Sequence, residues 1–465
     1  MLDNSSLIFL FLNAVAAVCF FTLGFARYGA FLNPITMFSG LWAVVAFGAN
    51  LGLYDFFTPS VDVNWILIIG AISFCVVCWI LENRNAFKVS VDHMTGENDI
   101  SYNFIVVCAA VAAAFMLPLL GDAFAVILSD GGWSALRLEN YNAGSTYRST
   151  FQIYGYEYIA KPITRALVII GLWAYLAKVQ RGGLILLMGL LLSLLGTIVS
   201  AGRGDILNVI ILGVFAMAMA HKKQSSSNLW QRIMRPRIVV PAIAIAVLVL
   251  AITADRHVGD TTIAETFYQY YFSGPVFLSE LLRQDNLAWT VGEDYMLGWA
   301  TFGFLANAPL TLGLVFGLGT QTSNYWVGSV LTSPNLQIGD GIYGNAMCTC
   351  FYDFLLDWGV AGVVLGPALL ALASGLIAQE LGKKNTIFWA SIALLWVQVL
   401  FRTTFRWDPV DIAFTITIFF MYVFTHKGFL SKRRGADMCR TAHEADARRG
   451  FQRRKNRQRK ERGRC

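Results

Sequence analysis

The chain has 465 residues, of which 56% are hydrophobic and only 14% charged. A soluble globular protein carries roughly a quarter charged residues, so that class is excluded and a polytopic membrane protein is indicated. The net charge of +7 is uneven: residues 426–465 hold 15 Lys and Arg against 4 Asp and Glu, which leaves the remainder net acidic.

Taken in order, eleven apolar runs fall at about 5–25, 33–53, 64–81, 103–121, 158–178, 182–200, 204–220, 238–254, 359–380, 386–402 and 408–425. Each is long enough to span a bilayer as a helix. Barrel-type alternation is absent, so the expected fold is all-α, a multi-pass membrane domain over 1–425. Two long segments interrupt it, at about 122–157 and at 255–358, the second between the eighth and ninth spans. The first run lacks a basic leader and reads as a first helix rather than a cleaved signal. Residues 426–465 read as a disordered, cytoplasmic basic tail, and no folded nucleic-acid-binding module accompanies it.

Arg27, Arg84, Lys88, Lys178, Arg181, Lys222, Lys223, Lys383, Lys384 and the tail fall on one side of this topology. By the positive-inside rule that side is the cytoplasm, which puts the N-terminus outside. The outer segments carry Arg137, Arg148, Arg203, Arg256, Arg283, Arg402 and Arg406 and no Lys. Arg makes forked bonds to phosphate and carboxylate, whereas Lys is a mobile point charge. Salt bridges to outer acids account for part of the set; a shared anionic ligand explains it more economically.

Six stretches hold candidate chemistry. In "YGYEYIAKPITRALVII", Glu157, Lys161 and Arg165 recur every four residues on one helix face. Snorkelling to the interface and lining a cavity are equally good readings of that face. The turn "AGRGD" offers Arg203, Asp205 and the amides of a helix N-terminus to an anion. "TADRHVGD" sets Arg256 and His257, a base near neutral pH, beyond the next span. "YQYYFSGPVFLSELLRQDN" reads as an interfacial amphipathic helix ending in Glu280 and Arg283, and "YDFLLDWGVAG" brings Asp353 and Asp357 to the outer mouth of a helix. "LFRTTFRWDPVD" puts Arg402 and Arg406 on one face before Asp408 and Asp411, as internal ion pairs or as ligand contacts.

The cysteines are scattered. Cys75 and Cys78 lie within an apolar run with no second pair, so neither metal nor redox chemistry is assigned. The cytoplasmic loops are short and contain no Gly-rich phosphate loop, so an outward-facing enzyme needs a donor delivered in the membrane.

The "GRGD" turn, the long outer segment with "YYFSGPVFLSELL" and the following "YDFLLDWGVAG" together resemble the oligosaccharide repeat-unit (O-antigen, Wzy-type) polymerases over about 1–425. The resemblance implies a glycosyltransferase of the bacterial inner membrane. It joins glycan units carried on undecaprenyl pyrophosphate, as donor and acceptor, at the periplasmic face. Neither metal nor other cofactor is expected; membrane lipids and a chain-length regulator are the further partners. Arg203 is implied in pyrophosphate or glycan binding, with Arg402 and Arg406 in support; the outer charged stretches add Arg165, Arg256, Arg283, Asp353 and Asp357 as expected substrate contacts. Asp205, Asp408, Asp411, Asp353, Asp357 and His257 are the candidates to receive the acceptor proton. The catalytic set is thus Arg203, Asp205, His257 and Asp408. O-antigen ligases, which "DRHVGD" matches weakly, and lipid-linked oligosaccharide flippases or transporters remain as alternatives, although a midplane almost free of ionisable groups disfavours transport.

Overall fold

The computed structural model describes residues 4–81, 85–95, 100–133, 135–136, 150–200, 202, 204–221, 262–283, 295–303, 305, 336–344 and 349–427. The eighth predicted span, 238–254, and the basic tail beyond 427 lie outside the described residues.

Thirteen helices are named here in chain order. They are α1 (Asn4–Tyr28), α2 (Leu41–Asn50), α3 (Val61–Ile80), α4 (Tyr102–Val126), α5 (Thr150–Gly155), α6 (Lys161–Leu176), α7 (Gly182–Ser200), α8 (Gly204–Met219), α9 (Ile263–Arg283), α10 (Cys350–Trp358), α11 (Gly362–Lys384), α12 (Ile387–Arg402) and α13 (Ile412–Thr425). By length and composition, six helical stretches can cross a membrane: Asn4–Tyr28, Val61–Ile80, Tyr102–Ser129, Tyr156–Leu176, Gly182–Ser200 and Cys350–Lys384. Shorter apolar helices at Thr36–Asn50, Gly204–Met219, Ile387–Arg402 and Ile412–Thr425 fall at four further predicted spans. This is the architecture of a multi-pass helical membrane protein. It is not purely α. Two-residue strands β1 (Val89–Ser90) and β2 (Ala220–His221) pair in parallel, and β3 (Leu336–Gly339) and β4 (Ile342–Gly344) form an antiparallel hairpin.

The helices form two groups. α1, α2, α3 and α11 pack together, and α4, α6, α7, α8 and α13 form the other group, with α12 touching members of both. α6 is the central helix of its group: Ala166, Leu167, Val168, Ile169, Ile170 and Trp173 are all fully buried. It is enclosed by α4, α7, α12 and α13. By contrast, α1 turns Phe11 and Val18 outward, each 67% exposed, as a lipid-facing helix would.

The basic loops gather at one end. An Arg27 guanidinium Nη2 donates to the Leu81 carbonyl, and the side chain lies 4.8 Å over the Trp79 ring. Lys88 Nζ reaches the Gly29 carbonyl at 2.9 Å, and Asn385 Nδ2 the Ser90 carbonyl at 2.8 Å. Tyr102 donates its hydroxyl to the Gln180 carbonyl. At the other end, the Ser60 amide bonds Ser279 Oγ at 2.9 Å, the Phe57 amide the Ile338 carbonyl at 3.0 Å, and the Cys350 amide the Thr403 carbonyl at 2.9 Å. Loops predicted to share a side therefore share an end.

The ninth span departs from expectation. The helical run begins at Cys350, not near 359, and reverses at Gly359, whose φ of 56° favours glycine. A Cβ on Gly362 would lie 1.9 Å from the Phe354 carbonyl oxygen, so α10 folds back directly against the start of α11. Within the predicted outer segment 122–157, helical structure continues to Gly131 and resumes at Thr150.

Candidate functional site

A cavity of about 320 Å³ lies between α6, α7, α8, α12 and α13, at the end opposite the basic loops. Its charged lining comprises Glu157, Lys161, Arg165, Asp205, Arg402, Arg406, Asp408 and Asp411. Met116, Val168, Leu192 and Leu212 supply apolar lining.

Local chemistry places each group. Pro162 has no N–H to return to the Tyr158 carbonyl, and at this point the helix widens into a π-turn over Tyr156–Ala160, closed by the Lys161 amide bonding the Tyr156 carbonyl. Glu157 and Lys161 lie at this turn and pair at 2.6 Å. Arg165, one turn further in, finds its partners on α12 and in the turn that follows it. Its Nη2 donates to Gln398 Oε1 at 2.7 Å and to Asp408 Oδ2 at 3.3 Å. Arg402 ends α12, where a cation favours the helix dipole, and its Nη1 donates to Asp408 Oδ2 at 2.8 Å. The Arg402 Nε is buried without a hydrogen-bond partner among the described residues. Asp411 caps α13, accepting from the Ala413 amide at 3.0 Å.

Asp408 is therefore shared by three guanidiniums, the third being Arg406, whose Nε lies 3.8 Å from Oδ1. Arg406 also approaches Asp411 at 3.6 Å and is half exposed. Burial raises the Asp408 pKa, but Arg402, Arg165 and Arg406 together outweigh burial and hold the carboxyl below its ordinary value. Three guanidiniums thus meet two carboxylates, while the full lining holds four cations (Lys161, Arg165, Arg402 and Arg406) and four acids (Glu157, Asp205, Asp408 and Asp411). Asp205, in the first turn of α8, lines the same cavity and makes no hydrogen bond or ion pair among the described residues.

Of the sequence candidates, the fold unites Arg165, Asp205, Arg402, Arg406, Asp408 and Asp411. Arg402 and Arg406 do pair with the following acids, yet they line an open hollow. The cavity-lining reading of the Glu157–Lys161–Arg165 face is the one the structure bears out. Arg283 stands apart, 75% exposed and paired with Glu280 at 2.8 Å. Asp353 and Asp357 are buried in α10 instead of sitting at a mouth, and neither lines the cavity. Asp357 accepts the Ala300 and Thr301 amides at 2.9 and 2.6 Å, which is a structural role. Arg203, Arg256 and His257 lie outside the described residues, although Gly204, next to Arg203, lines the cavity. Among the described residues, no three His, Cys, Asp or Glu side chains gather to hold a metal ion.

Two residues escaped the sequence reading. Gln398 is fully buried in α12, and its Nε2 donates to Asn208 Oδ1 on α8 at 3.2 Å. The available signal was an amide one helical turn before Arg402 in "WVQVLFR" and another one turn after Gly204 in "GDILNV".

The fold and the cavity define a helical membrane protein with a charged hollow lined by guanidiniums and carboxylates. The chain matches no family model, no curated protein and no solved structure.

Proposed function

We propose that the chain is a membrane glycosyltransferase that polymerises undecaprenyl-pyrophosphate-linked oligosaccharide repeat units into a surface polysaccharide. The observation that carries this reading is the convergence on one cavity of three guanidiniums, Arg165, Arg402 and Arg406, each able to fork onto a phosphate. In this reading the chain crosses the inner membrane eleven times, with the N-terminus and the cavity outside and the C-terminus in the cytoplasm.

In the reaction, an acceptor sugar hydroxyl attacks the anomeric carbon of the donor, and the bond from that carbon to the pyrophosphate oxygen breaks. The negative charge that builds on the leaving pyrophosphate meets guanidiniums already fixed by the protein. Preorganised donors of this kind contribute about 3 kcal/mol each in a water-poor site. The acceptor proton passes to Asp205, the lining carboxylate that makes no ion pair among the described residues. Asp408 and Asp411 hold the guanidiniums in place.

A second reading, a flippase or other transporter for a lipid-linked glycan, draws on one observation: the cavity extends into the apolar helices as far as Leu212 and Thr417. Glycan analysis of a deletion strain separates the two. Loss of a polymerase leaves single repeat units on the surface, whereas loss of a flippase leaves none exported. Unchanged long chains in the deletion strain contradict both.

A further inference from the structure

A buried amide in an apolar helix needs a reason, because leaving either of its ends unpaired costs free energy. Gln398 has both ends used. Its carbonyl oxygen accepts from Arg165 Nη2 at 2.7 Å and its NH₂ donates to Asn208 Oδ1 at 3.2 Å, so it ties α12 to α6 and α8. Flipping the amide would set its NH₂ against a guanidinium, donor against donor, so its orientation is fixed. Among the described residues only Nη2 of Arg165 is engaged, which leaves Nε and Nη1 without a hydrogen bond at the cavity wall.

The choice of a neutral amide matters. A carboxylate at this position would pair fully with Arg165 and neutralise its charge. It would also have no donor for Asn208. An apolar side chain would leave Arg165 anchored only by the longer 3.3 Å contact to Asp408, which two other guanidiniums share. Gln398 holds the guanidinium still without neutralising it.

We propose that Gln398, fixed by Asn208, is a positioning residue that orients Arg165 and keeps its charge available to the phosphate groups of the ligand. This rests on the reading of the cavity as a pyrophosphate site. The binding of inorganic pyrophosphate to the purified full-length chain in detergent tests it. The Gln398→Glu variant is expected to bind at least tenfold more weakly than wild type at pH 8. Relative to wild type at each pH, its affinity should recover as the pH falls and the introduced carboxylate takes up a proton. Gln398→Met, neutral and of similar volume, is expected to bind about three- to tenfold more weakly with no such recovery. A Gln398→Met protein that melts like wild type and binds pyrophosphate equally well overturns the inference, even if Gln398→Glu does not fold. So does a Gln398→Glu protein with wild-type affinity throughout the pH range. If the wild-type chain binds no pyrophosphate, the functional reading fails and this inference fails with it.

Discussion

Asp408 is the residue on which the site's electrostatics turn. It is buried and neutralises part of the charge of Arg165, Arg402 and Arg406 at once. Removing one partner of a buried ion network strands the others, typically at a cost of about 3 kcal/mol. Asp408→Asn is accordingly expected to lower the melting temperature in detergent. Its pH dependence follows from the direction of the shift. Since the folded state favours the charged carboxyl, that stability is fully present above the unfolded carboxylate pKa of about 3.9 and is lost as pH falls through the lower folded value. The acid limb of a melting curve against pH should flatten in Asp408→Asn. Asp205 carries the opposite expectation: having no ion pair to lose among the described residues, Asp205→Asn should fold and, with one carboxylate fewer in the lining, bind pyrophosphate at least as tightly as wild type. Its elongation rate should drop by about 10²–10⁴, the range for losing a general base. At this scale the sequence was half legible. The Arg and Asp types of the site stand out against apolar runs, and the four-residue spacing put Glu157, Lys161 and Arg165 on one face. It did not show that Arg165 meets Gln398 and Asp408, more than two hundred positions away, because spacing along one helix carries no information about which helix faces it.

At the scale of elements, the segment from Cys350 to Gly366 shows how local chemistry redirects a helix. Hydropathy alone reads the region as a single span opening near 359 and leaves Asp353 and Asp357 at its mouth. The positive φ of Gly359 reverses the chain, and the bare backbone of Gly362 admits the Phe354 carbonyl, so α10 is buried and its acids with it. A single methyl group tests this. Gly362→Ala should cost about 1–3 kcal/mol through overpacking and lower the melting temperature. Gly213→Ala in α8, where an added Cβ meets nothing within 4 Å, should be neutral or slightly stabilising. The reversal was illegible because a glycine's φ is decided by the packing around it. The π-turn before α6 was also missed, though Pro162 marks it, since the withheld N–H widens the turn that carries Glu157 and Lys161.

For the whole molecule, two ends with different chemistry are the organising fact. Loops bearing Arg27, Lys88, Arg181 and Lys384 meet at one, and the guanidinium cavity opens at the other. Positive charge on short loops marks the cytoplasmic side. In a chain cleared of other cysteines, Asp340→Cys should react with an impermeant thiol reagent in spheroplasts. Lys88→Cys should react only after lysis. Labelling of both from outside would contradict the proposed sidedness. Apolar runs located the described membrane helices well, because a bilayer demands about twenty apolar residues wherever a helix crosses. They could not reveal that α6 is enclosed and α1 largely exposed, since both are predominantly apolar.

The central claim is that outward-facing guanidiniums grip the pyrophosphate of a lipid carrier through their forked geometry as well as their charge. Sugar-gel analysis of a deletion strain carrying Arg402→Lys tests it most directly, since lysine keeps the charge and loses the fork. With the variant present in the membrane at wild-type levels, the account predicts single repeat units or severely shortened chains; a ladder of wild-type length would contradict it.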